Sequence, residues 1–316
     1  MNLNELIEIA TQNNVSDIHI NDAIFFRVNK KIMQFNPQSD IDSIKTELDS
    51  INTESNDHKS QNEKSFTTMI NETKIRISYY FSNYKNCYAI RILKSKIPTL
   101  ASLNTPKVLE SLSLNDSGLI LVCGATGVGK STSLAAMINH INESANKHIL
   151  TIEDPIEYEH KSKNSLITQR EIRRDSSDFE SALKASLRQD PDVILIGEIL
   201  DSKVLKMAIN HALSGHLVLA SFHAFSCAHA VSRILGMCSD DANAHANLAD
   251  CLQGIITQKL YADSGVSNTP ISLKADFEIL IANPAVRILI KENKINQLDS
   301  QISMGREFGM QHFLKK

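Results

Sequence analysis

The sequence lacks any pair of cysteines in C-x-x-C spacing, and its five cysteines are an odd number. Both features argue against a disulfide framework and against a structural zinc site. The simplest interpretation is a set of buried thiols in a reducing compartment. The five residues are Cys87, Cys123, Cys227, Cys238 and Cys251.

Long apolar runs are also absent, and no basic N-terminal segment precedes an apolar stretch. A membrane-spanning helix requires about 18 or more apolar residues, and the runs here are far shorter. The mature protein is therefore expected to be cytosolic and soluble. A net charge of −3 provides no broad positive field for nucleic acid, which makes DNA or RNA an unfavoured partner.

A chain of 316 residues is long enough for two domains of ordinary size. From residue 117 onwards, short apolar runs alternate with helical patterns, which indicates β-α units and a mainly parallel sheet. The preceding part has strand-like and helical segments without that alternation. We therefore predict a small α+β domain over residues 1–95, a linker over 96–108 and an α/β domain over 109–316.

Within the first domain, the spacing of apolar residues predicts individual elements. Ile44, Leu48 and Ile51 mark one amphipathic helix in an otherwise polar stretch. The other expected elements are a helix over 2–14 and strands over 16–20, 74–81 and 87–94.

One glycine-rich segment, GATGVGKST, matches the phosphate-binding pattern G-x-x-x-x-G-K-S. The apolar run GLILVC precedes it and a segment of helical periodicity follows, so strand, loop and helix occur in the required order. A chance glycine-rich turn is the alternative, and this context argues against it. The residues expected to bind nucleotide are Gly124, Ala125, Thr126, Gly127, Val128, Gly129, Lys130, Ser131 and Thr132.

The chemistry of such a loop follows from its backbone. Glycines allow N–H groups to curl around an anion, and the helix N-terminus adds partial positive charge. Lys130 is expected to reach the β- and γ-phosphates, and the Ser131 hydroxyl to bind Mg²⁺. ATP and Mg²⁺ are therefore the predicted ligands.

Acidic residues and histidines flank three of the apolar runs. Ligands of open α/β sheets bind at the carboxyl ends of strands, and hydrolysis requires a base, a metal-supporting carboxylate and a group that senses the leaving charge. Glu198 suits the orientation of water or of Mg²⁺ through its water shell. Spacing alone does not choose between Glu153 and Glu157 as the base. The alternatives are a helix cap or solvated turn for each acid, and a hydrogen-bonded core histidine for His216.

Four segments resemble the Walker A, Asp box, Walker B and His box motifs of the type IV pilus and type II secretion ATPases. They are GATGVGKSTSLAAMINHIN, HILTIEDPIEYEH, SALKASLRQDPDVILIGEI and SGHLVLASFHAFS. The similarity is greatest to the PilT-type retraction ATPases, and it extends to NELIEIATQNNVSDIHI, NPAVRILIKENKI and GREFGMQHFLKK. It covers nearly the whole chain except residues 36–70.

The resemblance implies a PAS-like α+β domain followed by a RecA-like ATPase domain with a mainly parallel sheet. It also implies a homohexameric ring that is cytoplasmic and peripheral at the cytoplasmic face of the inner membrane. There it would hydrolyse ATP with Mg²⁺ and act on the inner-membrane pilus platform protein, without nucleic acid, to power retraction and twitching motility.

Residue roles also follow from the resemblance. Glu157 corresponds to the catalytic carboxylate of the Asp box, and Glu198 to that of the Walker B strand, with Mg²⁺ contacted through water. His216 and His223 correspond to the His-box pair, in which His223 would lie nearer the γ-phosphate.

Two arginines of the first domain, Arg76 in KIRIS and Arg91 in AIRIL, match family arginines that reach a neighbouring subunit's nucleotide. A solvent-facing strand arginine is the alternative interpretation of each. If the match holds, a subunit without its neighbour is nearly idle.

The sequence departs from the family pattern in two places. Ala224 and Phe225 replace the family's threonine pair, and Ile288 and Lys291 replace an asparagine and an arginine of a segment typical of retraction. A pilus assembly ATPase or a type IVB secretion or conjugation ATPase therefore remains an alternative. The lack of an additional N-terminal region and of a four-cysteine zinc site favours retraction over assembly.

Two alternatives belong to other functional classes. A DNA-acting RecA-like motor finds its best support in the basic run HKSKNSLITQREIRR at 160–174, although the acidic total charge favours a solvated or inter-subunit surface. A regulator that binds nucleotide without hydrolysing it is disfavoured by the presence of Lys130, Glu157 and Glu198.

Overall fold

A computed structural model describes residues 1–28, 31–36, 41–54, 63–93, 97–263 and 272–314 of the chain. The chain forms two compact units, Met1–Lys96 and Ile97–Lys316, which we call the N-terminal and C-terminal units. Leu100, inside the expected linker, is buried in the core of the C-terminal unit. Residue 96, the first of that linker, lies outside the described residues.

In the part that the structure describes, the N-terminal unit has one antiparallel sheet that packs with two helices. Its elements are α1 (Leu3–Gln12), β1 (Asp17–Ile20), β2 (Ile24–Val28), β3 (Lys31–Phe35), α2 (Ile41–Glu54), β4 (Glu63–Ile70), β5 (Thr73–Ser82) and β6 (Lys85–Ile92). The order across the sheet is β3-β2-β1-β6-β5-β4, with every neighbouring pair antiparallel.

Helix α1 starts at a capping box. The Asn2 side chain accepts a hydrogen bond from the Glu5 backbone N–H at 2.9 Å, and the Glu5 carboxylate accepts one from the Asn2 N–H at 3.2 Å. Two N–H groups that the first turn leaves unpaired are satisfied in this way. The expected helix around Ile44 and Leu48 is also present as α2, and both residues are fully buried.

The C-terminal unit is built on a seven-stranded sheet. Its elements are α3 (Val108–Ser113), β7 (Gly118–Cys123), α4 (Lys130–Ser144), β8 (His148–Glu153), β9 (Leu166–Glu171), α5 (Phe179–Ser186), β10 (Val193–Ile196), α6 (Ser202–Leu213), β11 (Leu217–Phe222), α7 (Cys227–Met237), α8 (Ala244–Cys251), β12 (Leu252–Asp263), β13 (Ser272–Ile281), α9 (Pro284–Lys291) and α10 (Leu298–Met304). Two short 3₁₀ turns, Ile295–Gln297 and Gly305–Phe308, flank α10.

The strand order in this sheet is β13-β12-β7-β11-β10-β8-β9. All neighbours are parallel except the edge pair β12 and β13. Strands β7, β10 and β11 are buried along their whole length, because helices cover both faces, and this explains their continuous apolar sequences. The carboxyl ends of β7, β8, β10 and β11 therefore meet at one edge of the sheet.

This architecture agrees with the expected fold class of a mainly parallel α/β unit preceded by a smaller α+β unit. Of the helices in the described ranges, none has both the length and the apolar character needed to cross a bilayer.

Candidate nucleotide-binding and catalytic site

The segment 124–132, which we call the phosphate loop, joins the end of β7 to the first turn of α4. Gly124, Gly127 and Gly129 adopt φ values of 147°, 78° and 90°, which side-chain-bearing residues rarely adopt. A Cβ on Gly124 would lie 2.6 Å from the carbonyl oxygen of Gln258. The start of α4 has no side-chain capping hydrogen bond, so its first-turn N–H groups are suited to bind an anion.

Lys130 lies within this loop and is only 9% exposed. Its Nζ donates hydrogen bonds to the carbonyl oxygens of Gly124 at 3.0 Å and Ala125 at 3.1 Å. Burial lowers the pKa of Lys130 below its usual value, while the charges of Glu198 and Glu157 act in the opposite direction. Both carboxylates are therefore within electrostatic range of the ammonium group.

Tyr158 connects the phosphate loop to the segment that follows β8. Its hydroxyl lies 3.0 Å from Thr132 Oγ1, and its side chain is buried. The residue before it, Glu157, is exposed. Because the neighbour of Glu157 is bonded to the first turn of α4, Glu157 is held near the loop.

Glu153 has a different environment from Glu157. It is buried and accepts hydrogen bonds from Thr151 Oγ1 at 2.8 Å, from Gln169 Nε2 at 3.4 Å and from the backbone N–H of Glu157. Burial raises the pKa of Glu153 to about 7, although these hydrogen bonds oppose the rise. Glu153 thus interacts with its own strand, with β9 and with the loop that follows β8.

Gln169 on β9 supports the same segment. Its Nε2 donates to the carbonyl oxygen of Tyr158 at 3.0 Å, and its Oε1 accepts from the His160 N–H at 2.7 Å. The backbone on the C-terminal side of Glu157 is therefore fixed to the sheet edge.

Glu198 and His223 come together at the ends of adjacent strands. Glu198 follows β10 and His223 follows β11, and these strands are parallel neighbours. Glu198 Oε1 contacts His223 Nε2, and the contact is an ion pair when the imidazole is protonated. Gly197 permits this placement, because a Cβ there would lie 3.1 Å from Glu153 Cα.

Arg233 on α7 supports the position of His223. Its Nη1 donates to the carbonyl oxygen of His223, and its guanidinium carbon lies 5.1 Å from the centre of the Phe222 ring. This arginine was not among the residues expected from the sequence, because it lies in a helix and belongs to no recognisable motif.

The structure does not bring His216 to the other candidate residues. Leu217, which follows it, is opposite Gly118 in the β11–β7 pair, whereas Phe222 is opposite Cys123, next to the loop. The length of β11 separates His216 from His223 by about 20 Å. His216 Nδ1 instead lies 3.1 Å from both Ser214 Oγ and the carbonyl oxygen of His211.

Arg76 and Arg91 belong to the N-terminal unit, where they are directly opposite each other in β5 and β6. Residues paired in this way project from the same face of a sheet. Arg91 Nε donates to Asp17 Oδ1 at 2.8 Å, and Arg76 Nε donates to Ser65 Oγ at 3.0 Å. Burial opposes ionisation of Asp17, but hydrogen bonds from Arg91 and Ser16 hold its pKa below the usual value.

Part of the basic run at 160–174 is engaged with acidic side chains. Arg173 Nη2 lies 3.4 Å from Asp154 Oδ2, and Arg174 Nη2 lies 2.8 Å from Asp175 Oδ2. These pairs reduce the positive charge that the run presents to a polyanion.

A family model described as "Type II/IV secretion system protein" matches residues 1–307. The Escherichia coli K12 protein YggR is 38% identical over 322 residues, which is 98% of this chain and 95% of that protein.

Two further comparisons concern pilus proteins. The type IV pilus retractation ATPase PilT of Pseudomonas aeruginosa PAO1 is 39% identical over 240 residues, covering 75% of this chain and 68% of PilT. A crystal structure of the pilus retraction motor PilT with bound ADP superposes with a TM-score of 0.83 at 32% identity, covering 96% of this chain and 90% of that one.

The family match over nearly the whole chain and the agreement in fold confirm the predicted resemblance and the predicted fold class. The chain therefore belongs to the type II/IV secretion system protein family and is a nucleotide-binding ATPase.

Proposed function

We propose that this ATPase powers the retraction of type IV pili. The observation that carries the proposal is the similarity to PilT over 96% of the chain, together with a phosphate loop, Glu198 and His223 at one edge of the sheet. The motor would be a homohexamer, peripheral at the cytoplasmic face of the inner membrane, and would act on the pilus platform protein there.

The chemistry within one subunit is proposed as follows. The phosphate loop and Lys130 hold the triphosphate and offset the charge of its terminal groups. Glu157 takes the proton of the attacking water, and its exposure near the loop supports this role over buried Glu153. Glu198 orients the water, and His223, in contact with Glu198, senses the γ-phosphate.

The residues at the loop also have the donor chemistry that Mg²⁺ requires. Within the described ranges, no cluster of three or more His, Cys, Asp or Glu residues forms a ready-made metal site. Mg²⁺ at nucleotides usually takes few protein oxygens and completes its shell with phosphates and water. We propose that the Ser131 hydroxyl, and Glu198 through water, would hold Mg²⁺, which would offset phosphate charge.

In addition to Lys130 and Mg²⁺, a neighbouring subunit would supply positive charge to the triphosphate. Arg76 and Arg91 lie side by side on one face of the N-terminal sheet, and Arg91 is 59% exposed. Arginines supplied in trans can raise phosphoryl-transfer rates by about 10³–10⁵. Nucleic acid has no role in this proposal. The ion pairs that Arg173 and Arg174 make with acidic side chains support its exclusion.

A deletion strain tests the pilus role. Retraction predicts excess, immobile surface fibres, and complementation with wild type but not with Glu198→Gln should restore motility. Loss of fibres on deletion would indicate assembly instead. Normal fibres with a secretion defect would indicate a secretion ATPase, and either result would overturn the retraction proposal.

A further inference from the structure

One buried glutamine beside the phosphate loop belongs to none of the motifs. Strand β12 runs parallel to β7, and Thr257 is opposite Cys123, the last residue of β7. Strand β12 continues beyond that point, so on its β7 side the next residue, Gln258, lies beside the loop, while on its other side it pairs with Phe277 of β13. Its side chain is 4% exposed.

The Gln258 side chain makes two hydrogen bonds to the loop and its helix. Nε2 donates to the carbonyl oxygen of Val128 at 2.6 Å, and Oε1 accepts from Ser133 Oγ at 2.8 Å. The Gln258 backbone also lies against the loop, since its carbonyl oxygen is 2.6 Å from where a Cβ of Gly124 would be. Gln258 thus lies against the beginning and the middle of the loop, and it is bonded to the first turn of α4.

The hydrogen bond to Val128 has a consequence for the orientation of the loop. In a planar trans peptide, the C=O and N–H of the same unit point in opposite directions. When Val128 directs its carbonyl towards Gln258, the N–H of Gly129 must point away from Gln258. Loops of this type bind phosphate through backbone N–H groups, so the orientation of this peptide matters for binding.

We propose that Gln258 is a positioning residue that keeps the phosphate loop in its anion-binding conformation. This inference rests on the proposal that residues 124–132 bind nucleotide, and it is independent of the pilus role. A primary amide suits the position because it offers a donor to Val128 and an acceptor to Ser133 at once. A carboxylate would direct an acceptor oxygen at the Val128 carbonyl.

The same strand provides a matched control. Gln253 Nε2 donates to the carbonyl oxygen of Ser117 at 3.0 Å, next to Gly118 at the opposite end of β7. Gln253→Leu therefore removes the same type of bond from the same strand, but away from the loop. A structural effect on the sheet should appear in both variants, and an effect on nucleotide binding only in Gln258 variants.

The experiment measures the Kd of ADP, the KM and kcat for ATP, and the thermal unfolding of the nucleotide-free protein. Gln258→Leu should raise Kd and KM by about tenfold, from the loss of two hydrogen bonds of ordinary strength. Gln258→Glu should have at least this effect, and Ser133→Ala about a threefold effect, because it removes one bond. Gln253→Leu should change Kd by less than about twofold.

Lys130→Ala distinguishes a failure of the proposed nucleotide-binding loop from a failure of the proposed role of Gln258. If it leaves ADP binding unchanged, the assignment of the phosphate loop itself fails. If Lys130→Ala weakens binding while both Gln258 variants bind ADP like the wild type, only the inference about Gln258 is overturned. It is also overturned if Gln258→Leu lowers the unfolding temperature without changing Kd or KM.

Discussion

His223 Nε2 contacts Glu198 Oε1 where the neighbouring parallel strands β11 and β10 end. A movement of one of these side chains therefore changes the contact of the other. Lys130 lies within electrostatic range of Glu198, so the ammonium group that we propose holds the phosphates and the pair at the strand ends form one cluster. Substitutions in this cluster should affect turnover more than they affect the fold.

Glu198→Gln should lower kcat by about 100-fold or more, the usual contribution of a group that handles the reacting water. The amide keeps the size of the side chain but loses its charge, so the Kd of ADP should change little. Steady-state phosphate release and ADP titration measure the two quantities.

Glu157→Gln should lower kcat to a similar extent. The matched control is Glu159→Gln, because Glu159 is also an exposed glutamate and lies two residues further along the same segment. Full turnover in Glu157→Gln would refute its role as the base.

The two His-box residues should differ in their effect on catalysis. His223→Ala removes the contact with Glu198 and should lower kcat by about tenfold or more. His216→Ala should leave kcat within about twofold of wild type, because its partners are Ser214 and His211 at the far end of β11. Equal losses of kcat in both variants, with intact assembly, would show that His216 acts in the reaction.

Glu153→Gln should change how the free energy of unfolding depends on pH. Burial raises the pKa of Glu153 from 4.5 to about 7. Between these values the folded protein keeps a proton that the unfolded chain has lost, so this group makes stability fall as pH rises. The stability of Glu153→Gln relative to wild type should therefore increase by about 3 kcal/mol from pH 4.5 to pH 8.

Urea unfolding at a series of pH values measures this difference. A difference that stays constant between pH 4.5 and pH 8, or that decreases, would contradict the raised pKa of Glu153 and its assignment as a buried, partly protonated group.

Strands β7, β10 and β11 could be predicted from the sequence because burial on both faces requires continuous apolar runs. Strand β3 could not be predicted, because four of its five residues are exposed and its sequence does not alternate between buried and exposed positions. The long α2 was predicted from only three apolar positions, which was sufficient because the helical period is strict.

Some residues of the candidate site could likewise be predicted from the sequence, and others could not. Lys130, Glu198 and His223 were found because each follows an apolar run or belongs to a motif. Gln258 was not found, because its hydrogen bond to Val128 joins residues 130 positions apart and depends on how far β12 extends past β7. The side-by-side placement of Arg76 and Arg91 depends on strand register, which their separate motifs do not reveal.

Specific activity at increasing protein concentration gives a first indication of whether subunits cooperate. If each site needs a neighbour's arginines, the rate per subunit should rise as rings assemble. Arg91→Ala should assemble like wild type and lose about 10³-fold or more of the rate. Equal specific activity in verified monomers and hexamers would mean that one subunit is sufficient.

Mixing two inactive variants tests most directly whether neighbouring subunits share each active site. Lys130→Ala keeps the arginines but cannot hold the phosphates, and Arg91→Ala keeps the loop but lacks the arginine. In an equal mixture, about a quarter of the interfaces combine an intact loop with an intact arginine, so about a quarter of the wild-type rate should return. A mixture that forms mixed rings but stays as inactive as its components would contradict the shared site.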